Sequence, residues 1–222
     1  MNDGAFATGS SRPYPVRLEL PIHTQDRNRI TSAFRLLLAL PHLILVGGPI
    51  AAGYSWSGGD DSGFRTGSNG GLLGIVALLV SIFAWFAILI TGQHPRSLWG
   101  FSAFYLRWRV RAIAYVALLR DEYPPFGEGE YPAELYVTQP EGARDRLTVA
   151  FRLILALPHL IVVSLLGVAW FVTSVIAWFS IVLTGSYPAG LYRFGSGVMR
   201  WGMRTEAYLL LLRDEYPPFS LD

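Results

Sequence analysis

The chain of 222 residues is long enough for one or two ordinary domains, and its hydrophobic fraction of 52% with a mean hydropathy of +0.36 exceeds that of a typical soluble protein. With no cysteine, disulfides, thiolate metal sites and cysteine nucleophiles are excluded. The formal charge of +2 says little about partners, but all 18 basic residues are arginine, and nearly all lie outside the apolar runs.

Met1–Pro13 is rich in Gly, Ser and Ala and lacks the apolar core of a secretory signal, so a disordered tail is expected. Tyr14–Thr24 alternates, with Val16, Leu18, Leu20 and Ile22 on one side, and predicts an edge strand because Pro21 cannot donate to a ladder. Tyr131–Gln139 alternates likewise through Ala133, Leu135 and Val137, and the two are expected to pair in a small sheet outside the bilayer.

The next stretch occurs twice: FRLLLALPHL at Phe34–Leu43 and FRLILALPHL at Phe151–Leu160. AWFAILITG at Ala84–Gly92 recurs as AWFSIVLTG at Ala177–Gly185, and RDEYPPF at Arg120–Phe126 recurs unchanged at Arg213–Phe219. Blocks recurring in fixed order are a duplication. In half one an apolar helix over Thr31–Ala52, bent near Gly47–Pro49, is long enough at about 1.5 Å per residue to cross a bilayer core of about 30 Å. Gly53–Gly71 reads as a Gly/Ser loop, and Leu72–Thr91 as a returning helix.

Half two lacks most of that loop, which leaves one apolar run at Leu147–Thr184. As a single helix it would measure roughly 55 Å, so a hairpin turning near Gly167–Phe171 with Trp170 at the interface is expected. The arginines agree: the first hairpin loop carries only Arg65, while the ends and the central segment carry the rest. The positive-inside tendency then places both termini in the cytoplasm and gives four spans.

Each hairpin is followed by an aromatic helix, Phe101–Leu119 and Phe194–Leu212, with arginines flanking a large apolar face and a narrower second stripe. That pattern predicts a helix in the bilayer interface, with the second stripe covered by protein. Gly202 stands where Arg109 stood, and the paired prolines of DEYPPF are expected to stop each helix.

The predicted class is an all-α integral membrane protein of two tandem parallel repeats, each a short strand, a transmembrane helical hairpin and an amphipathic interfacial helix, four transmembrane helices in all. The divisions are a tail at 1–13, repeat one at 14–126, a linker at 127–130 and repeat two at 131–219. With LPHL, AWF-x-I-x-LTG-x-x-P, the RW-x-x-R helix and RDEYPPF in view, the chain resembles the bacterial membrane family catalogued as domain of unknown function 4389. The resemblance covers about Tyr14 to Phe219 and implies a multi-pass protein of the bacterial inner membrane with a repeated domain and no assigned reaction. Half one departs from half two by its loop and by RWRVR in place of RWGMR.

Arg35 with His42, and Arg152 with His159, are ionisable groups inside apolar helices, two turns apart on one face. The functional reading is a proton or ion path, since imidazole titrates near neutral pH. The structural reading has the arginines snorkelling to headgroups and the histidines satisfying carbonyls loosened by Pro41 and Pro158. Arg107, Arg111, Arg200 and Arg204, with Trp108 and Trp201, are candidate contacts for anionic lipid headgroups or plain interfacial anchors. Asp121, Glu122, Asp214 and Glu215 invite an acid/base reading, but pairing with nearby arginines is several times better supported. The four histidines lack metal-ligand spacing, and no phosphate loop, dinucleotide fingerprint or nucleophile elbow is present, so no metal or cofactor is expected.

Three functions follow: a non-enzymatic scaffold or accessory subunit of a membrane complex, an oligomeric channel or transporter, and a lipid-binding protein. The expected partners are the bilayer, anionic lipid, and a homo-oligomer or larger membrane complex, with no nucleic acid.

Overall fold

The computed structural model describes residues 14–48 and 70–222, so the N-terminal tail and nearly all of the Gly/Ser loop lie outside the described residues. In order come β1 (Val16–Glu19), α1 (Arg29–Ala33), α2 (Arg35–Val46), α3 (Gly71–Thr91), α4 (Arg96–Val116), β2 (Glu134–Val137), α5 (Arg146–Ala150), α6 (Arg152–Thr184) and α7 (Ala189–Leu209). The described residues are thus mostly helical with one small sheet, and α3 and α6 are long and apolar enough to cross a membrane.

Local chemistry sets the boundaries. Asn28 starts α1 by accepting the Thr31 N–H at 3.1 Å, and Asp145 starts α5 by accepting those of Leu147 and Thr148 at 3.0 and 3.4 Å. Gly92 and Gly185 end α3 and α6 in left-handed turns. The two strands pair antiparallel with Leu18 opposite Leu135, and Val16, Leu18, Leu135 and Val137 face inward. The alternation does not extend to Ile22, which is exposed. Pro21 instead offers its carbonyl to Arg120 and Tyr192.

The hairpin predicted in half two is absent. Helix α6 runs unbroken for 33 residues through Gly167–Phe171. Nothing in that stretch breaks a helix: a lone interior glycine costs about 1 kcal/mol, less than the backbone hydrogen bonds a reversal would expose. Trp170 is not an interfacial anchor but is buried against Gly195, where an added Cβ would meet its indole nitrogen at 2.5 Å.

Half one does not fold back either. Passing along α2 into α3, the partners on α4 move back toward its N-terminus: Arg35 meets Tyr115, His42 and Val46 meet Trp108 and Arg109, and Gly74 lies beside Tyr105. Ile88 and Leu89 then cluster with Leu98. Helix α3 therefore continues the direction of α2, and the pair is an interrupted copy of α6. The joint is tight, since a Cβ on Gly71 would sit 2.6 Å from the Ile44 carbonyl oxygen.

The aromatic helices are not interfacial. Twelve of the 21 residues of α4 are buried, with β2 packed on one side and α2 and α3 on the other, and α7 is placed likewise against β1 and α6. Their double apolar stripes are the reason: a helix with two opposed apolar faces hides both only in the middle of a sandwich. The layers are the sheet, then α4 and α7, then the long helices α2–α3 and α6.

The two halves interlock with matching bonds. The Arg27 N–H reaches the Gly185 carbonyl at 2.9 Å, and the Arg144 N–H reaches that of Gly92 at 2.8 Å. The indoles of Trp178 and Trp85 donate to the carbonyls of Ser32 and Val149, each at 2.9 Å. Equivalent residues Leu18 and Leu135 face each other. An approximate twofold axis therefore passes through the middle of the sheet, between α4 and α7, and between the two antiparallel long helices.

Candidate functional site

Each end of the long-helix layer holds one buried cluster, built from the repeated blocks. At one end Arg35, 1% exposed, donates to Asp121 at 2.6 Å, to the Tyr115 carbonyl at 3.1 Å and to the Arg120 carbonyl. Its guanidinium lies 4.5 Å from the Tyr115 ring centroid. Arg27 grips the same carboxylate at 2.9 and 2.7 Å and also the Leu118 carbonyl at 2.6 Å. The other end repeats this. Arg152 donates to Asp214 at 2.6 Å and to the Tyr208 and Arg213 carbonyls at 2.8 and 2.7 Å, and Arg144 donates to Asp214 and Leu211.

These clusters close the C-terminal ends of α4 and α7. Leu118 and Leu211 take left-handed conformations, φ 63° and 61°, which a non-glycine residue adopts at a cost of about 1 kcal/mol. Their carbonyls and those just before and after them are the helix-end acceptors that need donors. Three guanidinium N–H bonds at each end supply them, and the aspartate neutralises the arginines. The helices accordingly stop well before the prolines of DEYPPF, contrary to the sequence expectation. Burial raises the Asp121 pKa, but bonds from Arg27 and Arg35 outweigh it and hold that carboxyl well below the usual range. Asp214 is also shifted down, burial again being outweighed by Arg144 and Arg152.

Arg35 and Arg152 therefore do not snorkel. A planar guanidinium makes several short bonds here to groups that would otherwise be buried unpaired, which outweighs reaching a headgroup. The histidines also depart from expectation. His42 Nδ1 accepts the Trp108 indole N–H at 3.1 Å and His159 Nδ1 that of Trp201 at 3.0 Å, rather than either bonding carbonyls near Pro41 or Pro158. Phe126 stacks on His42 at 4.5 Å and Phe219 on His159 at 4.0 Å. Because an indole nitrogen only donates, each imidazole is held in the neutral tautomer with its proton on Nε2.

Trp108 and Trp201 are thus buried partners of histidine, not membrane anchors. Arg111 is buried and donates to the Gly127 carbonyl at 3.0 Å, and Arg200 donates to that of Leu221 at 3.0 Å, so both tie down the segment after their helix. Arg107 lies 3.8 Å from Glu128, and Arg204 lies 5.9 Å from the Tyr14 ring centroid. Arg120 and Arg213 pair with Glu122 and Glu215, as the arginine-pairing reading expects.

Among the described residues, one further cluster has no counterpart in the other half. At mid-height Arg109 pairs with Glu206 at 3.0 Å and donates to the Val46 carbonyl, the last of α2. Where α2 is interrupted, that carbonyl has lost its helical partner. The matching carbonyl of Val163 lies inside unbroken α6, and there Gly202 suffices. Sequence reading missed this pair and the roles of Arg27 and Arg144. The available signal was the recurrence of Arg27 and Arg144 at equal spacing before Arg35 and Arg152.

A family model described as Domain of unknown function (DUF4389) matches residues 70–127 and 146–220. The chain belongs to this family. The two matched segments are consistent with two copies of the DUF4389 domain; the first begins where the interruption in α2–α3 ends, and each includes one RDEYPPF block. No curated protein and no solved structure matches the chain.

Proposed function

We propose that this DUF4389 protein is a non-enzymatic, membrane-associated scaffold or accessory subunit of a membrane complex, in the bacterial inner membrane with its arginine-rich ends on the cytoplasmic side. One observation carries the reading. The ionisable residues of α2, α3 and α6 are Arg35, His42, Arg152 and His159, all buried and engaged, while the outward surface of these helices is apolar and uncharged. Such a surface suits hydrocarbon, and such interior clusters suit rigidity rather than turnover. Asp121 and Asp214 are each held by two arginines, which leaves neither poised as a general acid or base.

A channel using the two histidines is less well supported, because each imidazole is pinned neutral by a tryptophan and the two lie in separate clusters, His42 on α2 against α4 and His159 on α6 against α7. A headgroup site on Arg107, Arg111, Arg200 and Arg204 competes with the contacts those side chains already make. The test is purification from native membranes. The protein should resist carbonate extraction and co-elute in detergent with a partner, or further copies of itself, at fixed stoichiometry. Recovery in the soluble fraction, or as a partner-free monomer that hydrolyses or conducts, overturns the proposal.

A further inference from the structure

We infer that the protein is monotopic: α2, α3 and α6 lie flat within one leaflet, the β1–β2 sheet faces water, and none of the described helices crosses the bilayer. The inference rests on the membrane association proposed above and adds its orientation and the surface involved.

Three observations carry it. First, α6 is 33 residues, about 50 Å, and uncharged from Leu153 to Thr184. Fitting that length across a core of about 30 Å needs a tilt of about 50°, outside the usual range of about 0–40°.

Second, the approximate twofold axis crosses the long helices near their middles and passes through the sheet. A crossing orientation would lay that axis in the membrane plane and set the sheet at the bilayer centre. The side chains of Arg17 and Glu19 on the sheet are 73% and 45% exposed, and those of Arg107 and Glu128 beside the middle of α4 are 36% and 69% exposed. Charges at that depth are strongly disfavoured unless enclosed by protein.

Third, the apolar and charged surfaces lie on opposite layers. The buried stripe of α6 is Arg152, Ala156, His159, Val163, Trp170, Ala177 and Ile181, which faces α7. On the side away from it, Ile154, Ile161, Val172 and Leu183 are 62%, 62%, 52% and 72% exposed. Their spacings of seven and eleven residues put them on one line along the helix. The outer surfaces of α2 and α3 are equally uncharged, and exposed Tyr123, Phe126, Tyr216 and Phe219 rim the layer beside α2 and α6 as interfacial aromatics do. A layer one helix thick, about 10 Å, matches the depth to which flat amphipathic helices sink into a leaflet. An apolar groove of about 550 Å³ between α2 and the second half of α6, lined by Leu43, Trp170, Val175 and Trp178, leaves room for an acyl chain.

The natural absence of cysteine makes the test direct. Spin labels on Ile154→Cys, Ile161→Cys, Val172→Cys and Leu183→Cys, in the full chain reconstituted into phosphatidylglycerol/phosphatidylethanolamine vesicles, report depth from oxygen and nickel-chelate accessibility. The expected result is one common depth within about 5 Å, with Arg17→Cys and Glu128→Cys reacting with an impermeant maleimide from one side only. A profile deepest at residues 161 and 172, with 154 and 183 at opposite headgroups, means α6 crosses: the monotopic inference falls and membrane association stands. Labels that never contact lipid, shielded by a second copy or by water, overturn both.

Discussion

Arg109→Met is the substitution whose consequences the structure constrains most tightly. Arg109 is 1% exposed, and its partner Glu206 has a side chain 18% exposed. Removing the guanidinium leaves the final carbonyl of α2 without its donor, at about 1–3 kcal/mol, and leaves a largely buried carboxylate unpaired, at about 3–5 kcal/mol. Glu206 keeps partial access to water and a contact from the Tyr105 hydroxyl at 3.5 Å, so about 4 kcal/mol in total is expected. Arg109→Met with Glu206→Leu removes the stranded charge and should cost only about 1–2 kcal/mol, about 2–3 kcal/mol less than Arg109→Met alone. Deleting residues 47–70 should fuse α2 to α3 as in α6, so that the Val46 carbonyl meets the N–H of Gly74. In that background Arg109→Gly with Glu206→Ile, the residues the other copy uses at Gly202 and Ile113, should cost less than about 1 kcal/mol. Chemical unfolding in mild detergent, followed by tryptophan fluorescence, measures all of these. If the single and double substitutions cost the same, or Arg109→Met costs under about 1 kcal/mol, the capping argument is wrong.

Acid should weaken both end clusters. Asp121 and Asp214 have depressed folded pKa values, so their contribution is complete above the unfolded value of about 3.9 and is lost as pH falls from there toward the folded values. Thermal unfolding from pH 7 to 2 should show this loss, and Asp121→Asn with Asp214→Asn should flatten the slope to the remainder carried by Glu122 and Glu215. Trp108→Phe and Trp201→Phe each leave a histidine Nδ1 without its donor and should destabilise by about 1–3 kcal/mol, near-equally because the two surroundings match; a several-fold disparity in the same unfolding assay contradicts the equivalence. Gly71→Ala, at φ 65° and with its new Cβ 2.6 Å from the Ile44 carbonyl oxygen, should cost more than about 1 kcal/mol, whereas Gly100→Ala, in open space on α4, should stabilise slightly.

Local sequence determined the elements and their repetition. The alternation around Leu18 and Leu135 gave the paired strands, and the four recurring blocks the two-copy organisation. Pairing of the RDEYPPF acids with arginines was also legible, because buried carboxylates seek fixed cations. What tertiary structure alone decided was direction and depth. Whether Leu147–Thr184 turns or continues depends on what covers its sides, and hydropathy measures how apolar a helix is, not which neighbour or solvent meets each face. Whether Arg35 reaches outward or inward depends on carbonyls 80 and 85 residues away in sequence, at Tyr115 and Arg120, which no local pattern records. Arg109 tells the same story: nothing in its own helix records that the fold brings it the broken end of another one.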